Sequence, residues 1–228
     1  LSGSIGVTAG SIKLTETGTL ASAVSMSGGT TLDADNSLTV SGALTHTGDI
    51  TIDVAGTRTL TYTGTPISLG EHTLKLMGGG SLLSGGLDIN NAASKLLLSS
   101  ITVYSVSTSV GDSLGVVVEN DSTVTNLSMS QKLKLSVATT KTLIITDPLV
   151  IPSSGMELSG SGKLDLSDNL TMNGDVTLSS GSLTLDATGL SLNLGGNLNL
   201  SGGTLLTDNN TYIHLLSNAV LTLSLIHI

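Results

Sequence analysis

Residues 163–200 read KLDLSDNLTMNGDVTLSSGSLTLDATGLSLNLGGNLNL. This stretch decides the fold. It is a series of apolar-polar-apolar triplets: Leu164-Asp165-Leu166, Leu170-Thr171-Met172, Val176-Thr177-Leu178, Leu183-Thr184-Leu185, Leu190-Ser191-Leu192 and Leu198-Asn199-Leu200. Each triplet is followed by Gly, Ser, Asn or Asp. Alternation of period two is the signal of a strand with one buried face. The residues between triplets favour turns, through positive φ at Gly and side-chain bonding to backbone at Asn and Asp.

Working outward, the same pattern recurs at Leu38-Thr39-Val40, Ile50-Thr51-Ile52, Leu60-Thr61-Tyr62, Ile67-Ser68-Leu69, Leu74-Lys75-Leu76, Leu87-Asp88-Ile89, Ile101-Thr102-Val103 and Met156-Glu157-Leu158. Nothing recurs at helical spacing, so no substantial helix is expected. Between Leu164 and Leu198 the triplets begin only six to eight residues apart, too close for the strands of a sandwich or up-and-down barrel. A chain that turns a corner after every short strand winds as a solenoid. The reading is all-β: a single-stranded parallel β-helix, right-handed in preference to left-handed. It has about 20–22 residues per coil, three strands per coil and about ten coils. Two stretches break the rhythm, 104–126 and 131–152, the second holding Pro148 and Pro152. They are expected to form wider coils or side loops.

Composition agrees. The 228 residues include 41 Leu, 34 Ser, 32 Thr and 28 Gly, with no Cys, Trp or Phe and three Tyr. Leu, Ile and Val fit a thin stacked core in which larger rings are hard to seat. Thr and Ser suit the outer face, and Gly the corners. Collagen is excluded by three prolines. A mean hydropathy of +0.37 argues against disorder.

Net charge is −9, with the acids scattered. The longest basic concentration, Lys132, Lys134 and Lys141, is read as a solvated face, so no nucleic-acid partner is expected. No run of 18 apolar residues occurs, so no membrane insertion is expected in this segment. The opening LSGSIGVTAG has no Met and no basic segment, which leaves a removed leader or an internal fragment. The final LSLIHI resembles a translated sequencing adapter. Residues 1–222 are therefore read as one continuous solenoid from a longer protein, and residues 223–228 as a non-native tail.

Certain phrases resemble β-helical passenger repeats of bacterial autotransporters and haemagglutinin-type adhesins. They are GGTTLDADNSLTVSGALTHTGDITI from Gly28, GDVTLSSGSLTLDATGLSLNLGGNLNLSGGTL from Gly174 and GTLLTDNNTYIHLLSNAVLTL from Gly203. The resemblance implies an extended secreted or cell-surface stalk. It carries over no functional residues.

Chemistry needs a constellation. His46, His72, His214 and His227 lack the close HxH or HExxH spacing of a metal site. Asp165, Asp168, Asp175 and Asp186 are the best candidates for stacked carboxylates, able to serve a polysaccharide-cleaving pair or to bind calcium. A sugar-processing groove also needs a cation and aromatics, for which the chain offers Arg58, Tyr62, Tyr104 and Tyr212. Thr57, Thr59, Thr61, Thr63 and Thr65 alternate as an ice-binding face would require. None of these rises above solvated surface, so no catalytic, cofactor-binding or metal residue is assigned and no cofactor is expected. The expectation is a non-enzymatic structural stalk of a secreted or cell-surface adhesin-like protein. Other regions would meet a host cell, matrix or polysaccharide, and uncapped ends would self-associate. The alternatives are a carbohydrate-binding or polysaccharide-processing β-helix and an ice-binding solenoid.

Overall fold

The computed structural model describes residues 4–110, 115–185, 189–207, 210–216 and 218–223. They contain strands and turns with no helix. Successive strands do not pair with their neighbours in sequence. Each pairs in parallel with the strand one coil away, so the chain is a β-solenoid of about ten turns.

Three faces result. One is an eleven-stranded sheet from Ser11–Leu14 to Leu221–Leu223. The second runs from Gly18–Leu20 to Thr204–Thr207. The third begins at Ser4–Val7, Ala23–Met26 and Leu44–His46 and ends at Leu149–Ile151, Leu170–Met172, Ser191–Leu194 and Tyr212–Leu215. At about 4.8 Å per coil the rod is about 50 Å long.

Coil length varies more than the triplet spacing suggests. Ser11 lies opposite Thr31, an offset of 20, whereas Val116 lies opposite Leu135 and Ile50 opposite Leu74, offsets of 19 and 24. Corners absorb the difference, because every strand keeps its inward residues in register. One inward column runs Ile50, Leu74, Leu96, Val116, Leu135, Leu158, Leu178. These seven side chains are 0–3% exposed, so like stacks on like along the rod axis. Burying one such Leu or Ile is worth roughly 1.5–3 kcal/mol.

The second rhythm-breaking stretch, 131–152, is neither a wider coil nor a side loop but three ordinary short strands, Leu133–Val137, Thr142–Ile145 and Leu149–Ile151; the first has a defined cause. Strands Thr102–Thr108 and Ser122–Met129 run straight through the corner between the second and third faces. Their first halves extend the second face and their second halves the third. Val106 thus faces Leu87, and Leu127 faces Val106. In the next coil the corner returns at Asp147-Pro148, where Pro needs no ladder partner.

The corner acids and amides behave differently from the expectation that they bond their own turn. Many reach forward one coil. Asp49 Oδ1 accepts the Thr73 amide at 2.7 Å, Asp121 Oδ1 that of Thr142 at 2.7 Å, Asn169 Oδ1 that of Ser191 at 2.7 Å and Asn197 Oδ1 that of Val220 at 3.1 Å. The corner interrupts the backbone ladder, and these side chains continue it, leaving fewer amides unpaired.

One aromatic enters the core. Tyr62 is 3% exposed, against the expectation of a purely aliphatic interior. Gly64 makes room for it: a Cβ at Gly64 would overlap the Tyr62 ring.

Candidate functional site

The solenoid distributes the sequence-singled residues rather than gathering them. Asp165 lies outward on the second face, with Ile144 on one side in register and Thr184 on the other, so no carboxylate stacks on it. It pairs with Lys163 at 2.7 Å and is only 9% exposed. Asp168 sits at the following corner, where its Oδ1 accepts the Asn169 amide at 2.6 Å. Asp175 occupies another corner and accepts the Asn197 amide at 2.8 Å. These are three separate positions with structural partners. Asp186 and His227 lie outside the described residues.

His46 and His72 do meet, edge to face, with ring centroids 5.6 Å apart. The His46 ring nitrogens lie 3.0 Å from the Gly48 and Ser68 carbonyls. The ring therefore bridges a corner of its own coil and the strand Ile67–Ser68 of the next. His214 lies far along the rod beside Tyr212, at 6.4 Å. Among the described residues, no group of three or more His, Cys, Asp or Glu is placed to hold a metal.

Of the aromatics, Tyr62 is consumed by the core, Tyr104 is 53% exposed in mid-rod and Tyr212 is 61% exposed near the last coil. Arg58 sits at an exposed corner. Only Thr59 and Thr61 of the alternating threonines lie on the strand; Thr57 is in the turn before it and Thr63 and Thr65 follow it. Above Thr19, Thr39 and Thr61 the column continues with Leu83, so no flat threonine array extends along the face. The lysines are also dispersed. Lys132 pairs with Glu157 at 3.8 Å, Lys134 lies opposite Glu157 in register, and Lys141 closes a turn through its amide to the Ala138 carbonyl.

One charged cluster lies among residues with no individual signature in the sequence. Lys13, Asp33 and Asp53 form an outward column near the first coils. Lys13 reaches Asp35 at 2.8 Å and Asp33 at 3.6 Å. The Asp35 hydrogen bond and the two carboxylates hold the Lys13 ammonium above its ordinary pKa. Asp53 is pushed up instead, first by burial and then by the charges of Asp33 and Asp35. The signal was present in the spacing, since these three residues lie twenty apart. The cluster is an exposed ion-pair network with one poorly served carboxylate.

Two shallow grooves flank the straightened corner. One, of about 240 Å³, is bounded by Thr61, Tyr62, Leu83, Ser84 and Tyr104. The other, of about 340 Å³, includes Asn126, Ser128, Pro148, Val150 and Asn173.

A family model described as the TamB C-terminal domain matches residues 12–227. No curated protein and no solved structure matches the chain. The matched family is not the adhesin-passenger group that the sequence resembles in wording.

Proposed function

Because the chain belongs to the TamB C-terminal domain family, a family tied to the bacterial cell envelope, we propose that it is a non-enzymatic structural rod of that envelope. The observation that carries this is the continuous strand register of the first and second faces. On these faces parallel ladders join coil to coil, from Ser11 to Leu223 on the first, around a core that is aliphatic but for Tyr62. Such a rod resists bending because the ladders of the first and second faces tie each coil to its neighbours. Its length scales with coil number, so it acts as a spacer. Among the described residues, no helix is long and apolar enough to cross a membrane. The finer reading is a stalk facing the cell exterior, in the manner of an adhesin, that holds binding regions away from the surface.

These 228 residues contain no Cys, so labelling is read against the same protein without the added thiol. Thr63→Cys places a single thiol at an exposed corner. In the parent bacterium, a membrane-impermeant maleimide should label it on intact cells. Labelling only after the outer membrane is permeabilised would overturn the exterior stalk. The spacer role is tested separately by deleting residues 156–175, one coil in register. The shortened chain should remain β by circular dichroism, with scattering showing a rod about one 4.8 Å step shorter. Loss of the fold would contradict interchangeable coils.

The rod ends also have a consequence. Ile213 and Leu215 are 46% and 58% exposed, although their register partners Leu192 and Leu194 are fully buried. Edge strands with bare apolar columns template further pairing. The isolated 228-residue chain should self-associate end to end, and Ile213→Lys with Leu215→Lys should suppress this in light scattering.

A further inference from the structure

We infer that the straightened corner is a ledge that binds a neutral oligosaccharide lying along the rod. At the other described corners separate strands stand on the second and third faces. Here two strands cross without a break, and the residues at the crossing point outward in pairs. Tyr104 and Ser105 project from the first strand, Thr125 and Asn126 from the second. Ser105 faces Asn126 in register, and the Asn126 amide donates to Asp147 Oδ2 at 3.4 Å in the coil beyond.

The result is two parallel outward tracks. One is apolar: Leu83, 42% exposed, lies one coil before Tyr104, 53% exposed. These are two of the three large apolar side chains exposed away from the last coils among the described residues. The third, Val150, is 49% exposed and borders the groove that Asn126 also borders. The other track is polar: Ser105, Asn126 and Asp147, with Asn173 at the far end of the groove. All three exposed apolar side chains thus adjoin one feature of the rod.

The chemistry of the two tracks selects the ligand. A pyranose ring has an apolar C–H face, which packs on a tyrosine ring, and a rim of hydroxyls. Asn offers donor and acceptor together, and Asp accepts two hydroxyls. The coil rise of about 4.8 Å is close to the length of one sugar unit, so a linear chain along the axis meets one coil per residue. No Lys or Arg borders either groove, whereas Asp147, which accepts the Asn126 amide, stands beside the second, so a polyanionic glycan is disfavoured. The exposed ring makes Tyr104 the anchor, because aromatic side chains supply most of the binding energy at such surfaces. This ledge is independent of the stalk's mechanical role and gives the rod a binding surface on its side.

The test uses the 228-residue chain, with cellohexaose, mannohexaose and maltohexaose as probes and polygalacturonate as the charged comparison. Binding is followed by amide chemical shifts, with circular dichroism to confirm each variant's fold. At least one neutral hexasaccharide should bind saturably. Tyr104→Ala and Asn126→Ala should each weaken it about tenfold. Tyr104→Phe, which keeps the ring, should stay within about twofold, as should Tyr212→Ala, an exposed tyrosine near the last coil. The inference is overturned if no neutral hexasaccharide binds, if only polygalacturonate binds, or if Tyr104→Ala binds as tightly as the parent chain.

Discussion

The hydroxyl of Tyr62 accepts a hydrogen bond from the buried backbone amide of Leu44, 18 residues away, at 3.0 Å. This joins a second-face strand to the start of a third-face strand inside the core. The ring fills volume that aliphatic side chains fill elsewhere, and its hydroxyl serves an amide where the corner interrupts the ladder. Tyr62→Phe keeps the packing but strands the Leu44 N–H. It should cost about 1–2 kcal/mol of unfolding free energy, read from urea denaturation. A neutral result would mean that another group pairs the amide.

Thr108 is the converse case. It points into the core at 2% exposure between Ile89 and Met129, and its Oγ1 has no hydrogen-bond partner. Thr108→Val keeps the shape and removes the stranded hydroxyl. It should stabilise the fold by about 1–2 kcal/mol, raising the urea midpoint without changing the slope.

Two corners carry the same turn. The Arg58 amide bonds the Ala55 carbonyl and the Lys141 amide the Ala138 carbonyl, each at 3.0 Å. The third residue of each turn is a threonine with positive φ, 64° at Thr57 and 62° at Thr140. A β-branched residue is strained there, so Thr140→Gly should stabilise by about 1 kcal/mol. Gly160 shows the opposite requirement. It has φ 80°, and a Cβ would run into the Val137 carbonyl. Gly160→Ala should therefore destabilise by about 2 kcal/mol or more, and a matched pair of urea curves would show the opposite signs.

Asp53 sets a pH dependence near the first coils. Its carboxyl pKa is raised in the folded state by burial and by Asp33 and Asp35. Between the ordinary carboxylate pKa and the raised one, the folded chain holds a proton that the unfolded chain has lost. This group's contribution to stability therefore falls as pH rises through that window, and its cost is fully present at neutral pH. Asp53→Asn should stabilise at pH 7 and give less gain as the pH falls below the carboxylate range. A gain that is the same at both ends would show that the charge is not the cause.

The β-solenoid was legible because its signal is local. A strand needs two inward residues and a corner needs a turn former, and both fall within six to eight residues. The stretch from Lys163 to Leu200 shows each element in its simplest form, and the aliphatic columns follow from it. Tyr62 was harder to place, since it has the alternation of a core residue and the chemistry of a surface one. Its burial depends on Gly64 and on an amide of the coil before.

Neighbour relations along the rod belong to the tertiary structure alone. Alternation tells which face a residue takes, but not which residue stands beside it one coil away. That depends on corner lengths, which vary between coils while the strands stay in register. For this reason Asp165, Asp168 and Asp175 separate, whereas Lys13, Asp33 and Asp53 align. For the same reason Tyr104 meets Leu83 beside a polar track only where two strands cross a corner unbent. The kind of rod is written in the local pattern, because period-two burial is a property of each short segment. What lies on its surface was decided by coil-to-coil register, which is summed over the whole path of the chain.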